Sequence, residues 1–153
     1  MDYNAVSCGV SGQIGTLSAG AKEKIHTAAG ELFKVGLRRF LIAITGEAAL
    51  LFAEAVLTIR EQYPDAGIDV LIPFDGWIDN QSDSARYNRV IAQAESVNYS
   101  CAEEYEDSTD ICNTQLIGFG RCTVFIHNGE DETMRELAEE TRDADQEVKE
   151  III

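Results

Sequence analysis

Hydrophobic and polar residues alternate along this chain in two kinds of segment. Short apolar runs are typical of strands covered on both faces, and segments with apolar residues three and four positions apart are typical of amphipathic helices. Predicted strands cover 5–8, 40–44, 68–72, 96–101, 122–127 and 148–153, and predicted helices cover 18–35, 47–63, 85–94, 110–119 and 132–144. No linker, repeat or low-complexity segment interrupts this alternation.

The alternation predicts an α/β fold with three layers, in which a mostly parallel sheet of about six strands carries helices on both faces. A length of 153 residues is enough for one domain with a core, so we expect a single domain over 1–153. Right-handed crossovers place every strand-to-helix connection at one edge of such a sheet, which is where ligands bind.

One apolar run passes directly into a helical pattern. Leu41 to Ile44 are apolar, the run breaks at Thr45-Gly46, and helical spacing begins at Glu47. A helix that starts at such a turn presents free backbone N–H groups and its positive dipole end, which bind phosphates. Thr45 and Gly46 are therefore candidates to contact a phosphate or ribose, and Glu47 to bind a ribose hydroxyl or act as a general base. A turn capped by Thr45, followed by a first-turn acid, explains the same residues without a ligand.

Two further segments lie at the expected ligand edge. Gly9, Ser11 and Gly12 follow the first predicted strand, where they form either a backbone nest for an anion or a flexible connection. Pro73 and Phe74 close the third predicted strand, where they either wall a base-binding cleft or only end the strand and pack.

The same edge includes Asn128 and Gly129, which follow the fifth predicted strand. His127 ends that strand, and we expect a structural histidine there rather than an acid or base. Trp77, the single tryptophan, lies in a polar segment, where we expect it to cover the core or a subunit interface rather than to stack on a base. No nucleophile elbow, P-loop, metal-binding motif or paired-carboxylate signature appears, so we assign no catalytic residue and no metal ligand.

Charge narrows the classes of partner. Twelve Lys and Arg against 27 Asp and Glu give a formal net charge of −15, which repels nucleic acid and anionic membranes. The chain has neither a signal-peptide pattern nor an apolar run of membrane length, so we expect a cytoplasmic protein. Four cysteines without a CxxC pair predict buried free thiols rather than a metal site or a disulfide.

An ordered set of motifs runs along the chain: Thr45-Gly46, Glu61–Asp65, Val70–Phe74, Tyr87–Glu95, Tyr105, Asn113 and Leu116-Ile117. This set resembles the SLOG superfamily, most closely its YpsA-type branch, over roughly residues 5–152. The resemblance implies a Rossmann-like domain that binds a nucleotide-derived or ADP-ribose-like ligand, with Asn113 either as a ligand contact or as a local cap. Some superfamily members are phosphoribohydrolases and others are ligand sensors.

The chain departs from the family pattern where an anion would bind. Ala48 and Ala49 stand where members usually carry a second glycine, and a Cβ at Ala49 restricts the approach of a phosphate to the backbone. The phosphoribohydrolase signature is replaced by the segment Asn128–Thr133, which has one glycine and three acids. The equipment for binding an anion is therefore reduced.

Three functions follow from these residues. The leading hypothesis is a non-enzymatic binding or sensor module that recognises a nucleotide-derived molecule through Thr45, Gly46, Glu47, Phe74 and Asn113. The alternatives are a hydrolase of N-glycosidic or phosphate-ester bonds, which needs two carboxylates such as those of Glu47 and Glu130 in one cleft, and a ligand-free protein-interaction domain.

We also expect a homo-oligomer. The run Leu50-Leu51-Phe52 is more apolar than one buried helical stripe requires.

Overall fold

The computed structural model describes residues 4–153 and contains one six-stranded sheet flanked by helices. The strands are β1 (Ser7–Gly12), β2 (Arg39–Ala43), β3 (Gly67–Phe74), β4 (Ser96–Cys101), β5 (Cys122–His127) and β6 (Val148–Ile152). The helices are α1 (Ala21–Lys34), α2 (Glu47–Ile59), α3 (Ser84–Ala92), α4 (Ser108–Gln115) and α5 (Glu132–Asp143), and short 3-10 turns cover Asn4–Val6 and Ile78–Asn80.

The sheet is parallel throughout and its strand order is β4-β3-β2-β1-β5-β6. Three crossovers lead from β1 to β4 in one direction, and the next two lead to β5 and β6 in the other. Because parallel crossovers share one hand, the first three helices cover one face and the last two cover the other. The contacts between elements agree with this. Helix α2 packs on α1 and α3, whereas α4 packs on β1, β3 and β4 and α5 packs on β5 and β6. The three-layer Rossmann-like α/β prediction is confirmed.

Helix α2 is the centre of the core. It packs against β1, β2, β3 and β5 of the sheet and contacts its neighbours α1 and α3 on the same face. Leu50 and Phe52 are fully buried, and Leu51 is 9% exposed. Burying each of these side chains contributes about 1.5–3 kcal/mol. The apolar run from which we expect an oligomer is therefore covered by the chain itself, and the oligomer prediction loses that support.

Strand β1 is the largest error in the predicted boundaries. The prediction ended at residue 8, but the strand runs to Gly12, and Ala5 lies in a 3-10 turn. The glycines that weakened the strand signal are needed for close packing. A Cβ on Gly9 would lie 2.6 Å from the carbonyl oxygen of Leu116, and one on Gly12 would lie 3.0 Å from Ala48 Cβ. Gly9, Ser11 and Gly12 are therefore strand residues and do not form a loop after it.

Strand β3 and helix α4 also differ from the predictions. The strand continues through Pro73 to Phe74 because it stays paired with β4 as far as Phe74 and Cys101, and the N–H that proline lacks falls beyond the ladder with β2, which ends at Leu71. Helix α4 begins at Ser108 and ends at Gln115, so Asn113 lies in its second half and not near its start.

Helix α2 stops at Ile59, four residues before the predicted end, and residues 60–63 form turns. The bounds of β4 and β5 and the starts of α2, α5 and β6 are as predicted, and the remaining ends shift by one to three residues. Among residues 4–153, no helix is both long and apolar enough to cross a membrane.

Candidate functional site

The strand order reverses between β1 and β5, so the connections that follow these two strands diverge at the carboxyl edge of the sheet. In parallel α/β sheets this position forms the ligand crevice. Gln13 joins its two sides. The Gln13 backbone N–H donates to the carbonyl of Ile126 at 2.8 Å, and its side-chain oxygen accepts from the Asn128 backbone N–H at 2.8 Å. The base of the crevice is therefore fixed by hydrogen bonds.

Three of the predicted ligand residues meet beside this crevice. The hydroxyl of Ser11 donates to the side-chain oxygen of Asn113 at 2.8 Å, and the hydroxyl of Thr45 donates to the same oxygen at 3.1 Å. All three side chains are buried. We call Ser11, Thr45 and Asn113 the hydroxyl–amide cluster; it links β1, the turn before α2, and α4.

The orientation of the Asn113 side chain leaves its amide nitrogen outside the hydrogen bonds of the cluster. Both of its side-chain hydrogen bonds use the carbonyl oxygen, and neither uses the amide nitrogen. An acceptor that reached this nitrogen would therefore gain a hydrogen bond without breaking either bond of the cluster. The hydroxyl–amide cluster therefore offers an amide donor on residue 113, which is 2% exposed.

Helix α2 begins directly beside the cluster. Its N-cap is Gly46, which has no side chain to accept from the N–H groups of the first turn. Gly46 is extended, with φ 173°, and a Cβ there would lie 3.7 Å from the Gln13 carbonyl oxygen, an ordinary contact. Ala48 and Ala49 depart from the family pattern, in which a second glycine is usual, and packing explains this departure. Both alanines are buried, and the ideal Cβ position of Gly12 lies against them.

Helix α5, by contrast, begins with its donors occupied. Asp131 accepts from the Met134 backbone N–H at 2.9 Å, and the side-chain oxygen of Asn128 accepts from the N–H groups of Glu130 and Asp131 at 2.8 and 3.0 Å. Gly129, with φ 84°, adopts the left-handed conformation that this turn needs. Asn128 and Gly129 therefore build the start of α5, and the side-chain oxygen of Asn128 is already used by two backbone N–H groups.

Glu47 is held by an arginine of α3. Its two carboxylate oxygens accept from Arg86 at 3.0 and 3.1 Å, and Glu54 contacts the same guanidinium at 2.6 Å. Hydrogen bonds that Arg86 donates to these two carboxylates, that to Glu54 first, raise the pKa of Arg86 above its ordinary value. Burial, followed by the nearby charge of Glu47, raises the pKa of Tyr87 to about 12. The Glu47 carboxylate is thus occupied by an ion pair.

The cavity beside Glu47 does not support the carboxylate pair of the hydrolase alternative. It has a volume of about 470 Å³ and lies between α1, α2 and α3. Glu130 is not among its lining residues, which are Lys22, His26, Glu47, Leu51, Glu54, Ala55, Thr58 and Arg86.

The predicted aromatic wall is mostly buried. Phe74 is 8% exposed and belongs to the main core, together with Trp77. Trp77 meets Tyr87 edge to face, with ring centroids 5.2 Å apart. The prediction that Trp77 covers the core is confirmed, and Pro73 and Phe74 lie within a strand at the edge rather than in an open wall.

His127 is a buried residue with both ring nitrogens engaged. Nδ1 accepts from the Gly129 N–H at 3.1 Å, so Nε2 carries the proton and donates to Glu150 at 2.9 Å. Arg142 contacts the same carboxylate at 2.8 Å, and these bonds, that of Arg142 first, lower the pKa of Glu150. This arrangement agrees with the predicted structural role of His127.

The strand-to-helix connections form an acidic rim along the carboxyl edge of the sheet, with seven acids after β3 and β4 and two after β5. In the described chain, the five connections 13–20, 44–46, 75–83, 102–107 and 128–131 contain nine acids and no Lys or Arg. Such a rim repels an anion unless it reaches a local donor. The nine acids are Asp75, Asp79, Asp83, Glu103, Glu104, Glu106, Asp107, Glu130 and Asp131.

Sequence reasoning missed Gln13 and Arg86. Gln13 follows the true end of β1, and the error in that strand's boundary hid it. Arg86 meets carboxylates 39 and 32 residues away, a contact that no local pattern reveals.

No family model matches the chain. A UPF0398 protein of Staphylococcus saprophyticus is 29% identical over 115 residues, which cover 72% of this chain and 61% of that protein. The chain therefore spans about three fifths of the relative's length, and it is similar to a UPF0398 protein over most of its own.

Proposed function

We propose that the chain is a SLOG-type protein of the YpsA-like branch and that it binds a nucleotide-derived small molecule without catalysing a reaction. The observation that carries this proposal is the hydroxyl–amide cluster, whose Asn113 amide nitrogen remains available beside the uncapped start of α2. The position at the reversal of the strand order supports it, as does the similarity to a UPF0398 protein.

The donors at this position define the chemistry of the ligand. The amide of Asn113 and the first backbone N–H groups of α2 are hydrogen-bond donors, so they require acceptor oxygens. Ribose hydroxyls and a phosphate provide such oxygens, and the α2 dipole favours one negative charge. A nucleotide or an ADP-ribose-like molecule meets both requirements.

The acidic rim limits how much negative charge the ligand can carry. Its nine acids repel additional negative charge, so the ribose is the favoured partner of the hydroxyl–amide cluster and the α2 terminus receives a single phosphate. We therefore expect tighter binding of a molecule with one exposed phosphate or a bridged diphosphate than of a nucleoside triphosphate.

The experiment that tests this proposal is a calorimetric and thermal-shift screen with adenosine, AMP, ATP, ADP-ribose and NAD. A ligand at 100 times its Kd stabilises the native state by about 2.7 kcal/mol. For a chain of this size, that raises the unfolding temperature by about 5–10 °C. Chromatography after incubation should return the ligand unchanged.

Gly46→Glu and Gly46→Gln are the matched variants. Both side chains fit the extended backbone, and the glutamate is compatible with a helix N-terminus, so both variants should fold. Gly46→Glu should weaken binding about a hundredfold through charge repulsion, and Gly46→Gln by about tenfold or less. If no compound shifts the unfolding temperature of the wild-type chain, the proposal fails and the interaction-domain alternative takes its place.

A further inference from the structure

Two of the four cysteines stand side by side on neighbouring strands. Cys8 of β1 and Cys122 of β5 are register partners in the parallel sheet. Register partners point to the same face, and both side chains belong to the core cluster beneath α1. Neighbouring strands lie about 4.8 Å apart, within the range of Cα separations that a disulfide spans. The backbone therefore brings the two sulfur atoms within bonding reach after small adjustments of the side chains.

The two thiols also interact and differ in character. The side-chain interaction between the two thiols raises the pKa of Cys8 and lowers the pKa of Cys122. The charges of Lys149 and Arg121 favour the Cys122 thiolate further, against burial and the charge of Glu147. The pair thus contains one sulfur suited to attack and one that holds a proton.

Cys122 has a route to solvent that Cys8 lacks. Cys8 is fully buried, whereas Cys122 is 3% exposed and is among the residues that line a cavity of about 210 Å³. Gly118, Gly120 and Arg121 line the same cavity. A small oxidant can therefore reach Cys122 before it reaches Cys8.

We propose that Cys8 and Cys122 are an oxidation site at which a hydroperoxide produces a reversible intramolecular disulfide. The thiolate of Cys122 attacks the terminal oxygen of the hydroperoxide and the O–O bond breaks, so that Cys122 becomes a sulfenic acid. The leaving oxygen takes a proton and departs as an alcohol, or as water when the oxidant is hydrogen peroxide. The sulfur of Cys8, on losing its proton, then attacks the Cys122 sulfur and displaces hydroxide, which leaves as water. The pair loses two electrons and the hydroperoxide gains them.

The close spacing of the strands determines the character of this disulfide. Adjacent parallel strands hold the two Cα atoms near the short end of the favourable range, and strained disulfides are reduced more easily than relaxed ones. The bond should therefore form under mild peroxide stress and open again with a dithiol.

The other two cysteines provide an internal control. Cys112 donates to the carbonyl of Leu71 at 3.4 Å, and burial raises its pKa to about 12. Cys101 and Cys112 belong to different core clusters and are not register partners. They should remain thiols under conditions that oxidise the pair.

The test treats the folded chain with hydrogen peroxide, then unfolds it in excess alkylating agent and measures its mass. We expect the number of alkylated cysteines to fall from four to two, with the two protected residues mapped to Cys8 and Cys122 by peptide analysis. Dithiothreitol should restore all four. Cys8→Ala should accumulate sulfenic and higher oxides at Cys122, Cys122→Ala should lose the reaction, and Cys112→Ala should keep it.

Either of two results would overturn the proposal. One is alkylation of all four cysteines after peroxide treatment of the folded wild-type chain. The other is a disulfide that maps to a different pair, or that forms in unfolded protein only. Because both are read from the wild-type chain, the proposal stays testable even if an alanine variant does not fold.

Discussion

The two edges of the sheet use their polar residues in different ways. At the amino edge, the helix-to-strand connections of the described chain contain three arginines, Arg38, Arg60 and Arg121, and each donates to main-chain carbonyls. At the carboxyl edge, the connections contain no Lys or Arg, and α2 starts without a side-chain cap. The arginines of the amino edge are therefore engaged in contacts within the chain, whereas the carboxyl edge keeps donors that a ligand can use.

Arg38 makes the most extensive set of these contacts at the amino edge. Its guanidinium donates to the carbonyls of Phe33 and Leu37, both at 2.8 Å, and lies 4.5 Å from the ring centroid of Tyr63. One side chain thus joins the end of α1, the connection before β2 and the connection before β3.

The largest expected effect comes from breaking this amino-edge contact. Arg38→Ala should lower the free energy of unfolding by about 2–4 kcal/mol, because two charged hydrogen bonds and a cation–π contact are lost. Urea unfolding measures it, and ligand affinity should stay unchanged. Arg89→Ala, an exposed arginine of α3, is the control and should change the free energy by less than about 0.5 kcal/mol. Equal losses in the two variants would contradict the role given to Arg38.

At the carboxyl edge, Asn113→Asp should act on binding more than on stability. The aspartate keeps an acceptor for the hydroxyls of Ser11 and Thr45, removes the amide donor and adds a negative charge. Affinity for a nucleotide-derived ligand should fall by about ten- to a hundredfold, since a donor becomes a repelling charge. Calorimetry measures the change, with the exposed Asn88→Asp as the matched control. Unchanged affinity in Asn113→Asp would remove the hydroxyl–amide cluster from the proposed site.

The contact between β6 and His127 predicts a pH dependence of stability. The pKa of Glu150 is lowered in the folded state, so its stabilising contribution is present above the unfolded pKa of about 4.3 and is lost as pH falls through the folded value. Glu150→Gln should be less stable than the wild-type chain by about 1 kcal/mol at pH 7, and the difference should shrink below about pH 4. Urea unfolding across this range measures it, and a difference that grew toward acid would contradict the assignment.

The smallest expected effect concerns ionic strength. Because the rim carries nine acids, added salt should screen its repulsion and tighten the binding of an anionic ligand by about two- to threefold between 0.01 and 0.15 M. Adenosine, which is neutral, should bind with an affinity that does not depend on salt. Weaker binding of the anion at higher salt would show that local attraction outweighs the rim.

The sequence was sufficient for the fold and for the edge at which the candidate residues lie. The bounds of β4 and β5 were predicted correctly, while β1 was misplaced because its glycines serve packing against Leu116 and Ala48. Strand alternation brought Thr45 and Ser11 to one edge, but their bonds to Asn113 join residues 68 and 102 positions apart. Contacts at such separations depend on three-dimensional packing, which also explains why the link between Glu47 and Arg86 was missed.

The most direct test of the difference between the edges is an NMR titration of the wild-type chain with ADP-ribose. We predict that the largest shifts will occur at the backbone amides of Gln13 and Gly46 and at the side-chain amide of Asn113. The amides of Arg38 and Gly120 at the amino edge should not move. Shifts confined to the amino edge, or no shifts at millimolar ligand, would contradict the account.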